Sequence, residues 1–573
     1  MLGEKKYGII ALVLALAAVG IIWIVGLGQT GEQTLQAQAQ PQNKDTIMEY
    51  SKLLAQVAYS INDRYVEKLD PKELGYAGIK GMLELLDPFS DMLEKKTFDR
   101  LMEFTHGKYQ GLGMTIEKKD KYIIIVSPME GTPAFRMGLR AGDKIIEIDG
   151  KSAYGMSSEE ASNLMRGPAG TKVTLKIKRE GIEEPLDYEI ERAVIAIKNV
   201  PYYGVVGDGI GYVRLSRFSE DTGKELKEAI RELKNKNIKG LIFDLRFNGG
   251  GLLNEGVETS NLFLDKLDKD KLVVYTQGKK PEDLIKYFAR EEALYPDKPL
   301  VVLVNEGTAS ASEIVAGAIQ DWDRGVIIGD TTYGKGLVQT VLNMPDEVYL
   351  KLTIAKYYIP SGRCIQKPEK SKKNLALASA DEGADSSKAE LKQDEVFHTN
   401  GGRVVYGGGG IVPDIVIPEE KFKPIEIDLE RQQLFFDFAV RYISQHKDLP
   451  RNFEVDDRMI SDFKDFLKEK NFTYLNQVEI SLQDLEKNID SEKDKDSFTP
   501  ALSELKKVIQ KSKENDFDNS LDYIKKAIKR DLLYSLYGEK AYYEEILLKT
   551  DPGVKKAVEI LSNKTEYRKL LKG

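Results

Sequence analysis

Apolar residues are distributed in distinct patterns along the chain. Tyr7–Leu27 is a membrane-length apolar run without a charged residue, long enough to cross a bilayer as a helix of about 20 residues. Gln29–Asn43 is rich in Gln, Ala and Gly and reads as a flexible linker. Tyr50, Leu53, Leu54, Val57 and Ile61 then recur at helical spacing, which predicts helix within Thr46–Phe104. From Lys108 to Ile190 the period shortens. Tyr122–Val126, Lys144–Ile148 and Lys172–Ile177 are strand-like runs between glycine turns, predicting a small β-rich module. Strand and helix alternate after Ile210. Gly211–Leu215 is a strand candidate, and Leu226, Ala229, Ile230 and Leu233 form one helix face. Leu241–Leu245 and Leu300–Val304 are continuous apolar runs, as in strands buried on both sides. Ser310–Trp322 predicts a helix and Val326–Ile328 a further strand. Lys367–Glu395 is polar and reads as a disordered insertion. From about Pro424 the chain is charged and helical, with Leu532, Leu533, Leu536 and Tyr537 on one face.

These patterns predict a multidomain α/β + β protein, and 573 residues are too many for one core. The expected divisions are a transmembrane signal-anchor at 7–27, a linker at 28–43, an N-terminal helical region at 44–106, the β-rich module at 107–193, an α/β core at 194–420 with its insertion at 367–395, and a C-terminal helical region at 421–573. Lys5 and Lys6 precede the apolar run and the next basic residue is Lys44, so the N-terminus is expected in the cytoplasm and the remainder outside it. A cleaved signal peptide ending near Ala37-Gln38-Ala39 is the alternative. A net charge of −8 gives no electrostatic case for nucleic acid. The single cysteine, Cys364, excludes an intrachain disulfide and a lipid-modified cysteine after the run. Three histidines, His106, His398 and His446, leave little material for a histidine-rich metal site or a Ser-His-Asp triad.

Candidate chemistry concentrates at three places. Asn305–Ile314 links a buried strand to a helix and contains Ser310. A serine there sits near free backbone N–H groups and the positive end of the helix dipole, with the Ala311 N–H as an oxyanion donor. An ordinary N-cap is the alternative role. Lys335, between Gly334 and Gly336, follows the next strand 25 residues downstream. Burial would favour the neutral amine that a general base requires. Gln339 could orient that amine, and Glu313 is either an accessory to Ser310 or a favourable acid in a first helical turn. The third place is Asp244–Gly251, where a buried strand ends in a glycine-rich turn. Its amides suit an anion nest and a second oxyanion donor from Gly249 or Gly250, while no Walker lysine follows to suggest a nucleotide phosphate.

In order and spacing these pieces resemble the carboxy-terminal processing peptidases, the tail-specific proteases of serine peptidase family S41. The resemblance spans most of residues 75–366 and resumes at about 400–418. It takes in a helical Leu86-Asp87-Pro88-Phe89-Ser90 stretch, the 244–251 turn, the Ser-Ala-Ser-Glu run at 310–313, Gly329, Gly334-Lys335-Gly336 with Gln339, and Pro360-Ser361-Gly362-Arg363. It implies a ClpP/crotonase-like core with Ser310 as nucleophile, Lys335 as general base, Gln339 as third member, and an oxyanion hole from the glycine turn and Ala311. The departures are Phe89, where many members carry a histidine, the polar insertion and the long helical tail.

On the same grounds the module at 107–193 resembles a PDZ domain. Gly111-Leu112-Gly113-Met114 would receive a peptide carboxylate and the strand that follows would pair with the peptide. Arg166 would face a carboxylate or couple the module to the core. The expectation is a single-pass inner-membrane serine endopeptidase, active on the periplasmic side against proteins with accessible C-termini, without metal or cofactor. Helical extensions at both ends suit a homodimer. A catalytically silent PDZ scaffold is the alternative, and processing and degradative roles stay open.

Overall fold

Tyr202–Val206, Ile210–Arg214, Gly240–Asp244, Leu300–Val304, Val326–Gly329 and Ile415–Val416 hydrogen-bond in that order into a six-stranded sheet. The first pair is antiparallel and every later pair parallel. Every residue of Gly240–Asp244 and Leu300–Val304 is buried, which explains their unbroken apolar sequences. Helices Thr222–Asn235, Leu253–Asn261 and Ala311–Asp321 contribute to the core built on this sheet. Gly329 has φ +136 and lies so close to the Val304 carbonyl that a Cβ would stand 1.9 Å from its oxygen, so only glycine fits there.

In the computed structural model the described residues are 41–265, 271–368, 395–418, 421–446, 448–489, 495–513 and 515–572. The expected anchor at 7–27, the linker up to residue 40 and insertion residues 369–394 lie outside them. Among the described residues no helix is long and apolar enough to cross a membrane. Two compact units result. The six-stranded sheet belongs to a unit of residues 41–107, 199–416 and 560–572, and the other unit holds 108–198 and 417–559.

A second sheet in the first unit is built on the long strand Val348–Tyr358. Leu337–Met344 flanks it on one side, and Asp91–Glu94 and Lys271–Gly278 pair with successive parts of it. The N-terminal region is therefore not wholly helical as expected. Helices Pro41–Arg64, Pro71–Leu83 and Lys95–His106 are interrupted by the strand Asp91–Glu94 and the turn before it. The helical reading of Leu86–Ser90 also fails, because Pro88 disfavours helix at the preceding residue. Asp87 Oδ1 instead accepts the N–H groups of Phe89 and Ser90 at 2.9 and 3.0 Å. The tail is packed rather than free at Tyr567, whose buried hydroxyl accepts the Leu300 N–H at 3.0 Å.

In the other unit, Met114–Lys119, Tyr122–Pro128, Lys144–Ile148, Lys172–Lys178 and Leu186–Glu191 form an antiparallel sheet in that order. Ser158–Met165 packs beside it, its start fixed by a reciprocal Ser157–Glu160 capping box. The same unit contains helices Pro424–Arg431, Leu434–Gln445, Asp457–Glu469 and Leu521–Tyr542 around a core that includes Phe435, Phe438, Phe463 and Ile528. Lys119 pairs with Asp437 at 2.6 Å, joining the β module to these helices.

Candidate active site

Ser310 stands between Leu300–Val304 and Ala311–Asp321 with φ +55 and ψ −114. A side-chain-bearing residue at such angles stores roughly 1–3 kcal/mol of strain, as at the sharp strand-to-helix elbow that presents a nucleophile. Its N–H donates to Glu313 Oε2 at 2.7 Å. The same oxygen accepts the Lys335 N–H at 2.9 Å, while Oε1 accepts from the Thr332 hydroxyl at 2.5 Å and the Gly334 N–H at 2.7 Å. Glu313 thus ties the serine elbow to the lysine loop, and the two amide nitrogens lie no farther apart than two hydrogen bonds laid end to end. Burial pushes the Glu313 carboxyl above its ordinary value, and its donors oppose that push.

Lys335 is 4% exposed. Its Nζ lies 4.3 Å from the centroid of the Phe89 ring. Gly334 at φ +84 lets the loop pass against the Ile365 carbonyl and the Gly410 amide, where a Cβ would crowd both at 3.2 Å. Tyr357 donates its hydroxyl to the Lys335 carbonyl. Gln339 is buried on Leu337–Met344. Its Nε2 donates to Thr353 Oγ1 at 3.4 Å, whereas its Oε1 is buried without a partner.

The glycine turn reaches the same place from the end of Gly240–Asp244. Burial alone would raise Asp244, but Arg246 and Arg214 hold it well below the usual carboxylate range. Their contacts are 2.7 and 2.9 Å, and Tyr212 adds a hydroxyl at 2.7 Å. Asn248 then ties the turn to the elbow. Its carbonyl accepts the Ala309 N–H at 3.0 Å and the Ser312 hydroxyl at 2.9 Å. Of the two glycines singled out, Gly250 donates its N–H to Asn248 Oδ1 at 2.9 Å. The Gly249 and Ala311 amides have no acceptor among the described residues, which suits donors reserved for an external oxygen. The structure therefore gathers the Ser310 elbow, the Lys335 loop and the glycine turn, and places Gln339 on the strand that follows Lys335, bonded to Thr353. Sequence reasoning missed Tyr357, Thr332 and the reach of Glu313. The capping-box spacing of Ser310 and Glu313 was the available signal for the last.

The histidines lie elsewhere. His106 pairs with Glu220 at the surface, His398 is on a short hairpin strand and His446 stacks on Tyr442. Among the described residues no cluster of His, Cys, Asp and Glu is spaced to hold a metal.

In the β module, Gly113 at φ +79 passes so close to Thr132 that a Cβ would stand 2.3 Å from it. The Leu112 carbonyl accepts the Ala134 N–H and the Gly113 carbonyl accepts the Met129 N–H, both at 2.9 Å. Gly111 closes the ribbon strand Lys108–Gly111. Leu112 is buried in the core and Met114 is half-buried against it. Met114–Lys119 is an edge strand in contact with Ser158–Met165, and an edge strand is the position at which an extended peptide can add to a sheet. The Arg166 guanidinium lies 4.7 Å from the Tyr109 ring centroid, and its Nε donates to Ser162 at 3.3 Å.

Family models match residues 209–371 to peptidase family S41, 124–179 to the PDZ domain, and 425–561 to the C-terminal helical domain of a probable PDZ-protease. A carboxy-terminal-processing protease of Bartonella bacilliformis is 42% identical over 310 residues, covering 53% of this chain and 70% of that protein. The carboxy-terminal processing protease CtpA of Bacillus subtilis is 37% identical over 366 residues, covering 64% and 75%. The chain belongs to the carboxy-terminal processing proteases of peptidase family S41. Among solved structures, a photosystem II D1 C-terminal processing protease is 31% identical, with 55% of this chain and 90% of that chain covered and a TM-score of 0.34. This S41 protease is accordingly a serine protease with a PDZ domain, a class that binds peptide C-termini.

Proposed function

We propose that this protease is a membrane-anchored, extracytoplasmic endopeptidase that takes exported proteins by their C-terminal tails and cleaves them with Ser310 and Lys335. The observation that carries the reading is the single Glu313 oxygen accepting both the Ser310 and the Lys335 amide. In acylation, Ser310 Oγ attacks the scissile carbonyl as its proton passes to Lys335 Nζ. The oxyanion receives hydrogen bonds from Gly249 and Ala311. The Lys335 ammonium then protonates the leaving amine, and water repeats the cycle on the acyl-enzyme. The Gln339 carbonyl oxygen accepts from the ammonium, and Glu313 and Tyr357 fix the backbone around both groups. The PDZ groove holds the substrate tail. Tyr7–Leu27 is the anchor, with Lys5 and Lys6 on the cytoplasmic side.

Single and double variants test the pair. Ser310→Ala and Lys335→Ala should each abolish cleavage while the chain stays folded, and the double variant should be little worse than either, because the two act as one unit. Normal turnover by Lys335→Ala removes the base assignment. Protease added to intact spheroplasts should digest the region beyond residue 44, and protection of that region overturns the topology. A silent scaffold would leave Ser310→Ala indistinguishable from the parent. Substrates retained by Ser310→Ala in cells would distinguish processing of one partner from general degradation.

A further inference from the structure

We infer that Phe89 stabilises the ammonium that forms on Lys335 as it takes the proton of Ser310, so that an aromatic ring does part of the work a carboxylate does beside a catalytic histidine. The inference rests on the Ser310–Lys335 reading above. The ring centroid is 4.3 Å from Nζ, within the range of a cation–π contact. The amine is buried and the ring half-buried, so the attraction acts with little water between them, where it is strongest. A general base that starts neutral and becomes charged needs its stabilisation after proton transfer, and a π face offers that without an ionised group of its own. The Gln339 carbonyl oxygen, buried and without a partner, is the companion acceptor.

The ring's position is built in. Asp87 Oδ1 holds the Phe89 and Ser90 amides, and Oδ2 accepts the Ser90 hydroxyl at 2.8 Å. Ser90 Oγ in turn accepts the Thr353 N–H at 3.1 Å, and Thr353 Oγ1 accepts from Gln339. One chain of hydrogen bonds therefore runs from the turn bearing Phe89 to the residue expected beside the amine. The pairing of Asp91 with Lys351 through Glu94 with Val348 fastens the turn to the sheet. Titratable groups from each element around Lys335 are Asp87 in the turn, Glu313 on the helix, Tyr357 on the long strand and Lys367 beside Gly334. Replacing Phe89 alters none of them.

The test replaces Phe89 by phenylalanines carrying one, two and three ring fluorines in the full-length enzyme. Fluorination drains the π face while nearly keeping the shape. We expect kcat to fall stepwise to about one tenth with three fluorines. The acidic limb of the kcat/KM profile should move down by about one pH unit, because the ammonium of the free enzyme loses the same support. KM should change little. Phe89→Leu should match the trifluorinated enzyme, and Phe89→Tyr, which keeps a π face, should lie closer to the parent than Phe89→Leu in both kcat and acidic limb. If Lys335→Ala is inactive but the trifluorinated enzyme keeps the parental kcat and limb, the inference about Phe89 is wrong and the Ser–Lys reading stands. If Lys335→Ala remains active, both fall. A loss of kcat in Phe89→Leu without a fluorine-dependent trend marks packing alone and also overturns the inference.

Discussion

The phenol of Tyr357 donates its proton to the main-chain carbonyl of Lys335 in a fully buried position. Burial, with the Glu313 carboxylate nearby, pushes that phenol well above its ordinary value, so it stays a donor throughout the working pH range. Tyr357→Phe should leave the carbonyl without its donor and lower stability by about 1–3 kcal/mol. If the Ser310–Lys335 reading holds, cleavage should slow at least tenfold, chiefly in kcat, because the loop that carries Lys335 loses its fixed placement. Steady-state kinetics and denaturant titration on the same preparation check both expectations.

Glu313 concentrates four donors on one carboxylate. Glu313→Gln would place an NH2 group against two of them. The expected outcome is a loss of about 2–4 kcal/mol in stability and of roughly 100-fold or more in acylation rate, since a small displacement between Ser310 and Lys335 suffices for that. Glu313→Asp should be no better, because the shorter arm cannot span both loops. Single-turnover acylation measures the effect apart from product release.

Strain at Ser310 predicts that the two simplest knockouts differ in stability. Ser310→Ala keeps a side chain at φ +55, whereas Ser310→Gly relieves the conflict. Both should be inactive, but the glycine variant should be about 1 kcal/mol or more stabler than the alanine variant. Equal unfolding midpoints would mean that the elbow is not strained.

Asp244 gives a pH-dependent signature. Its folded-state value is depressed below the ordinary 3.8, so it contributes stability that is present above pH 3.8 and lost as the pH falls below it. Asp244→Asn should cost about 3 kcal/mol at pH 7, because Arg214 and Arg246 lose their buried partner. The difference from the parent should shrink below pH 3.8. Urea titrations at pH 7 and pH 3.5 compare the two.

The PDZ domain should distinguish chemical ends of the same peptide. Free-acid tails should bind more tightly than amidated ones by about 1–3 kcal/mol, the scale of a hydrogen bond to a charged group. Gly113→Ala should weaken both by forcing the loop off Thr132. Calorimetry with matched peptides is the measurement, and equal affinities would exclude carboxylate recognition.

The parallel sheet was legible because buried strands such as Leu300–Val304 have nowhere to place polar residues. Ser310 and the 334–336 loop were legible because a strand-to-helix elbow and a close backbone approach each demand particular residues. The strand Asp91–Glu94 was hidden, since Met92 and Leu93 are both buried and show no alternation. Phe89 could not be placed beside Lys335 from spacing, because a contact between such remote parts of the chain leaves no periodic trace, and Tyr357 reaches the Lys335 carbonyl only because its strand folds back along Leu337–Met344. Glu313 read either as an accessory to Ser310 or as a favourable first-turn acid, and only the returning loop reveals its other three donors.

The bond between Ser90 and Thr353 joins residues 263 positions apart. Closing a loop of that length costs on the order of 5 kcal/mol of chain entropy, and such remote pairings form slowly. The turn that covers the lysine can settle only after the long strand has been made and docked. A half-folded copy therefore already carries its serine and lysine before the Phe89 ring is fixed over the amine, and the surroundings of Lys335 are completed only once distant parts of this unit have met.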